Sequence, residues 1–178
     1  QFNFKKTFDK ITDKSNNYIN ESFFIANKLL KNKKGYALIN GPISKKNFLK
    51  DRYLGITEYL ANMNNIKKFA MLIYNKRLSV SPLTTHFPIK KVSKFIKKKR
   101  IINNVLKINE FYIKRLQKKP KIAILGLNPH CESIETISEE KSEIIPAIRY
   151  LATKKIKIEG PFAADTFFLE KNLKKFNV

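Results

Sequence analysis

Two histidines, His86 and His130, are the only imidazoles in the 178-residue sequence, and each follows an apolar run beside a proline: Thr84-Thr85-His86-Phe87-Pro88 and Gly126-Leu127-Asn128-Pro129-His130. If those runs are buried strands, both rings project where open α/β sheets bind ligands, outside the carboxyl ends of the strands. Neutral imidazole is a common ligand for zinc and related cations. The alternative for either histidine alone is a turn residue satisfied by a nearby backbone carbonyl. Metals of this class normally take at least three protein groups, so position alone leaves both readings open.

Other chemistry is thin. With glycines only at 35, 41, 55, 126 and 160, neither a G-x-G-x-x-G fingerprint nor a P-loop can be written. Cys131 beside His130 is a poor Cys/His pair, because adjacent loop residues usually point apart. The loop Gly41-Pro42-Ile43-Ser44-Lys45-Lys46 could cradle a phosphate at a helix start or could be an ordinary connection.

The elements that must position these residues alternate. Apolar positions across Ser22 to Leu30, then a Lys-rich stretch and Gly35, predict a helix with a C-terminal glycine, followed by a strand at Tyr36-Ala37-Leu38-Ile39. Phe69 to Tyr74 and Leu78 to Thr85 are strand candidates joined by Asn75-Lys76-Arg77, and Ile89 to Lys98 reads as helical. Ile102, Val105, Leu106, Ile108, Phe111, Tyr112 and Leu116 give a helix over Ile101 to Gln117 one apolar face. Pro120 ends it. Lys121 to Leu127 reads as a buried strand, Glu132 to Ser142 as an acidic loop, Ile144 to Thr153 as a helix and Ile156 to Glu159 as a short strand closed by Gly160-Pro161. This order predicts an α/β fold, a mostly parallel sheet flanked by helices, in a single unit spanning 1–178. The run Lys97-Lys98-Lys99-Arg100 reads as a solvated turn between helices.

Composition narrows the partners. Lys and Arg number 37 against 14 Asp and Glu, a net charge of +23. Most of the basic residues are Lys spread along the whole chain, which favours dispersed surface charge over a nucleic-acid face; a basic nucleic-acid-binding domain is the competing class. One cysteine, Cys131, excludes an internal disulfide framework. No stretch approaches the roughly 18 apolar residues needed to span a bilayer, so no membrane partner is expected and a cytoplasmic location is the default. Both ends read as internal to a longer chain, with Phe176-Asn177-Val178 like the start of a buried strand.

Five segments, in order, resemble one known family. Gly41-Pro42-Ile43-Ser44-Lys45 resembles its Gly-Pro-x-x-Lys loop, and Gly55-Ile56-Thr57-Glu58-Tyr59-Leu60 its Gly-His-Thr-Glu-Phe-Leu segment. Thr84 to Pro88, Gly126 to His130 and Gly160-Pro161-Phe162-Ala163-Ala164-Asp165-Thr166 resemble three more, and Gly-Leu-Asn-Pro-His is the most specific. The family is that of the 4-hydroxythreonine-4-phosphate dehydrogenases of pyridoxal 5'-phosphate (vitamin B6) biosynthesis.

The resemblance implies an isocitrate/isopropylmalate dehydrogenase-like fold, with this chain the central part of a larger two-lobed enzyme. It implies NAD(P)-linked oxidation of the secondary hydroxyl of 4-phosphohydroxy-L-threonine, then decarboxylation. A divalent cation (Zn, Mg or Co) can assist as a Lewis acid by polarising first the hydroxyl and then the new carbonyl. It also implies a homodimer with the active site at the interface. Carried over by position, His86 and His130 match two of three metal-binding histidines, and Thr57 a substrate-contacting threonine. The third histidine and the remaining substrate contacts would follow Val178, so this stretch alone is expected not to catalyse. Two departures stand out. Ile56 replaces a substrate-contacting histidine, which opens the alternative of a related dehydrogenase for another phosphorylated hydroxy acid, or of an inactive member. Cys131-Glu132 replaces a small Ala-Gly pair.

Overall fold

The structure is a computed structural model that describes residues 12–131 and 137–178. The sequence reading treats 1–178 as one α/β unit; the chain groups into two compact units, Gln1–Asn65 and Ile66–Val178.

The first unit is helical: α1 (Asn16–Lys31), α2 (Lys45–Leu49) and α3 (Ile56–Met63). Ile56, Tyr59, Leu60 and Met63 recur at helical spacing and turn one face of α3 onto buried Phe23, Phe48 and Leu49. Tyr59 is the hub, its ring 5.4 Å from Phe23, 5.1 Å from Phe48 and 5.6 Å from Tyr53. Its hydroxyl donates to Asn20 Oδ1 at 2.8 Å, so the half-buried ring keeps a polar partner.

Two expectations fail here. The left-handed residue ending α1 is Lys33 (φ 57°), not Gly35. Lys34 N–H reaches Leu29 O at 2.9 Å and Lys33 N–H reaches Leu30 O at 3.0 Å, a Schellman closure made two residues before the glycine. Tyr36 to Ile39 is not a strand: Tyr36 and Ile39 are exposed, and among the described residues no neighbouring strand pairs with them.

The second unit carries the sheet. Its elements are α4 (Ile89–Phe95), α5 (Lys98–Leu116), β1 (Lys121–Leu125), α6 (Ile145–Thr153), β2 (Lys157–Phe162) and α7 (Glu170–Lys175). β1 and β2 pair in parallel, with α6 in the crossover between them. Hydrogen bonds from Ala123 N to Val178 O (2.7 Å) and Asn177 N to Lys121 O (2.8 Å) lay the end of the chain beside β1, and Ser79 N to Asn177 O (2.8 Å) ties a further segment to it. The strand candidates around 69–85 reduce to one antiparallel bridge, Ile73 to Val80.

The core lies between this sheet and its helices. α5 buries Ile101, Val105, Ile108 and Tyr112, whereas Leu106 and Phe111 of the expected face are exposed. Within the buried stripe, the Tyr112 hydroxyl lies 2.9 Å from Ser79 Oγ, itself buried. Ile122, Ile144, Ala147, Leu151 and Ile156 complete the packing.

Three local readings are corrected. Lys97 to Arg100 is not merely a solvated turn: Glu143 accepts from Lys98 N (2.7 Å) and Lys97 Nζ (2.9 Å) at the start of α5, while Arg100 lies over Phe87 (5.8 Å) and Phe95 (5.5 Å). The loop expected over Glu132 to Ser142 is helical from Glu139, through a π-helical turn, Glu140–Ile144, into α6; residues 132–136 lie outside the described residues. Gly160-Pro161 does not end β2 but forms a bulge within it, at a cis peptide bond. Gly160 has φ 135°, and a Cβ there would collide with the carbonyl oxygen of Ile124, so only glycine fits this close strand approach.

Candidate metal and substrate site

β1 ends at Leu125, and the chain then folds back on itself. Gly126 N–H donates to Phe162 O (2.8 Å), tying the turn to the end of β2. Pro129–Cys131 makes a short 3-10 turn with His130 in the left-handed region (φ 55°), closed by Cys131 N–H to Asn128 O at 3.1 Å. A side chain at 126 would meet Cys131 Sγ at 2.6 Å, so the turn closes tightly only on glycine.

His130 therefore stands at the carboxyl end of β1 with its side chain 69% exposed, and its Nδ1 lies 2.9 Å from Asp165 Oδ2, just beyond β2. A carboxylate on Nδ1 fixes a proton there and leaves Nε2 free as a ligand atom. In the sequence Asp165 is only one residue of a motif, and nothing there pairs it with His130. The parallel register of β1 and β2 does.

The turn is also held from below. Glu140, 2% exposed, accepts from Leu127 N and Asn128 N at Oε1 (both 2.8 Å) and from Asn128 Nδ2 at Oε2 (2.8 Å). Burial works to raise its pKa, but the hydrogen bonds from Asn128, from its own backbone and from Leu127 outweigh this and hold it below the ordinary 4.5. Glu140 is thus a buried carboxylate that stays charged.

His86 is exposed, also left-handed (φ 58°), and its loop is anchored by the next residue: Phe87 stacks on Phe95 with ring centroids 4.1 Å apart. The segments leading to the two histidines, through Thr84 and through Leu127, line the same cavity of about 350 Å³. Val80, Leu83, Val92, Ile124 and Phe168 make that cavity apolar, so it is no place for a phosphorylated substrate, which needs cations and N–H donors. Among the described residues no three His, Cys, Asp or Glu side chains gather as a metal set.

Thr57 belongs to the first unit. It lies in the first turn of α3 behind Gly55, exposed, on the side away from the aromatic cluster. Its neighbour Ile56 packs into that cluster, an apolar role where the resembled family has a histidine. The loop from Gly41 leads to α2, a helix of five residues, and Ser44 Oγ bonds Asn47 Oδ1 (2.9 Å) instead of a helix amide. Burial pushes the Cys131 thiol up, against a hydrogen bond with the Gly126 backbone, and the charges of Glu140 and Asp165 push the same way, which disfavours the thiolate.

A parallel βαβ unit with a histidine and a carboxylate paired beyond its strand ends defines an α/β protein, a class in which ligands bind outside the carboxyl ends of the strands. The sequence model of the family described as "Pyridoxal phosphate biosynthetic protein PdxA" matches residues 1–178, and the chain belongs to that family. It is 44% identical to a Sulfurihydrogenibium 4-hydroxythreonine-4-phosphate dehydrogenase over 76% of this chain and 44% of that protein. To the enzyme of the same name from Wigglesworthia glossinidia brevipalpis it is 35% identical, over 88% of this chain and 50% of that one. The crystal structure of 4-hydroxythreonine-4-phosphate dehydrogenase from Klebsiella pneumoniae shares the fold, with TM-score 0.82 at 24% identity over 94% of this chain and 52% of that chain. The chain spans half or less of the length of these curated relatives. Among the described residues no helix is long and apolar enough to cross a membrane.

Proposed function

We propose that this chain is the metal-binding part of a 4-hydroxythreonine-4-phosphate dehydrogenase, which oxidises its phosphorylated substrate with NAD or NADP and then decarboxylates the product. The observation that carries the reading is His130, set at the end of β1 with Asp165 on its Nδ1, in a chain that matches the family throughout. The donor chemistry fits a divalent cation: an exposed imidazole with Nε2 free, oriented by a carboxylate, as metal-binding histidines usually are. His86 and His130 are the proposed ligands in this stretch, with a further ligand from beyond it. When bound, the cation supplies Lewis acidity at the reacting oxygen. His130 presents Nε2, Asp165 holds the proton on Nδ1, and the Phe87–Phe95 stack holds the His86 loop.

Thr57 is the proposed substrate contact, through its exposed hydroxyl on the first turn of α3. Ile56 supports a second reading, a dehydrogenase for another phosphorylated hydroxy acid, because a side chain packed into an apolar cluster offers a substrate no hydrogen bond. A homodimer and a cytoplasmic location belong to the same proposal and rest on the family alone.

The test is metal-dependent NAD(P) reduction by the full-length protein with 4-phosphohydroxy-L-threonine. His86→Ala and His130→Ala should each abolish it; full activity in either variant removes that residue from the ligand set. A kcat/KM higher on a different phosphorylated hydroxy acid would favour the second reading.

A further inference from the structure

The turn carrying His130 is short, exposed at its tip and sharply bent, yet the proposed ligand role needs its ring placed to within a fraction of an ångström. Asp165 orients the ring from β2, but it touches only the ring. The backbone beneath has its own holder. Both amides that follow Gly126 point at one oxygen of Glu140, and the side chain of Asn128 grips the other, so Asn128 is held by backbone and side chain together. Asn128 O in turn receives Cys131 N–H, closing the turn around His130. Glu140 reaches this point from the π-helical turn that leads into α6, whose Ala147 and Leu151 are fully buried, so the clamp is bolted to the core.

Burying a carboxylate is costly, and a loop can be braced by a neutral side chain. What a carboxylate adds is acceptor-only chemistry at both oxygens, matched here to three N–H donors. An amide in its place must turn its NH2 either toward the Asn128 amide or toward the two backbone N–H groups, donor against donor.

Resting on the metal-site reading above, we propose that Glu140 is a positioning residue for His130: its buried carboxylate fixes the Leu127-Asn128 backbone and thereby sets where the imidazole stands relative to a bound divalent cation.

The experiment uses the full-length protein with isotope-labelled histidine, comparing wild type, Glu140→Gln and Asn128→Ala, with His130→Ala to assign the signal. In metal-free Glu140→Gln the His130 ring resonances should shift while those of His86 stay in place. Zn(II) titration should show affinity falling roughly tenfold or more, the usual effect of losing an outer support of a ligand. Unchanged His130 resonances would overturn the proposal, whatever happens to thermal stability, since a purely structural role would lower the unfolding midpoint without moving the ring. If Glu140→Gln does not fold, Asn128→Ala decides alone: it removes the side-chain bonds to Glu140 Oε2 and Glu139 Oε2 and leaves both backbone bonds to Glu140 Oε1, and a His130 shift supports the clamp while an unmoved signal overturns it. Should His130→Ala bind Zn(II) as tightly as wild type, the ligand role falls instead, and the ring measurement still judges Glu140.

Discussion

His130 Nδ1 and Asp165 Oδ2 stand 2.9 Å apart although 35 positions separate them, because β1 and β2 pair in parallel and both residues follow the same edge of that pair. The contact assigns the two ring nitrogens different tasks. Asp165→Asn keeps the shape but removes the charge that holds the proton on Nδ1. Zn(II) affinity of the full-length protein should fall about 10- to 100-fold, with little change in the unfolding midpoint, as titration calorimetry beside thermal melts would reveal. Equal affinity in wild type and variant would mean that the pair has no part in metal binding.

Glu140 couples the same turn to pH. Its folded pKa is depressed below 4.5, so near that pH the unfolded chain binds a proton that the folded chain resists. The stabilisation is fully present above 4.5 and is lost as pH falls through the folded value. Denaturation midpoints measured from neutral into the acid range should decline for wild type, and decline less steeply for Glu140→Gln.

Glu143 offsets an awkward helix start. α5 opens with Lys98, Lys99 and Arg100, cations placed where the helix dipole favours anions, and no side chain of its own caps it. Glu143, arriving from the turn before α6, accepts Lys98 N–H at 2.7 Å. Glu143→Ala should cost about 1 kcal/mol, comparable to the loss of an N-cap, in urea unfolding.

Leu151 has no exposed surface and packs in the larger core, so Leu151→Ala should destabilise by about 2 to 5 kcal/mol. A loss well under 1 kcal/mol by chemical denaturation would show that the core around α6 collapses onto the cavity.

Ile56→His restores the residue common in the resembled family at the cost of a polar ring against Tyr59 and its apolar neighbours. The expected loss is about 1 to 3 kcal/mol, read by denaturant unfolding, unless the imidazole turns outward. An outward turn would instead appear as a changed KM for the phosphorylated substrate at unchanged stability.

Much of this was legible in the residues. The apolar run Lys121 to Leu125 and the following Asn-Pro-His turn announce a strand with a histidine at its end, because local pattern and tertiary role agree there. The roles proposed for Thr57 and His86 rest only on the motifs around them, and the strands expected to flank His86 shrink to a single bridge. Asp165 and Glu140 were not legible as partners of the His130 turn. Their roles come from the register of β1 on β2 and from where the π-helical turn begins, and no periodicity encodes either. The stripe on α5 was misplaced by part of a turn because its apolar side chains cover a wider arc than the core takes up. The bond between the Tyr112 hydroxyl and Ser79 was not legible either, since a hydrogen-bond partner 33 positions away leaves no local trace.

The parallel pairing of β1 with β2 across α6 has a consequence for inheritance. Everything seen to steer His130, from the Gly126 turn through Glu140 to Asp165, lies in the continuous stretch between Lys121 and Asp165. That stretch is an exchangeable cassette: a chimaera that takes it whole from a relative imports a finished histidine mount. A crossover falling within α6 instead parts the backbone clamp from the ring clamp, and obliges two lineages to agree on one imidazole.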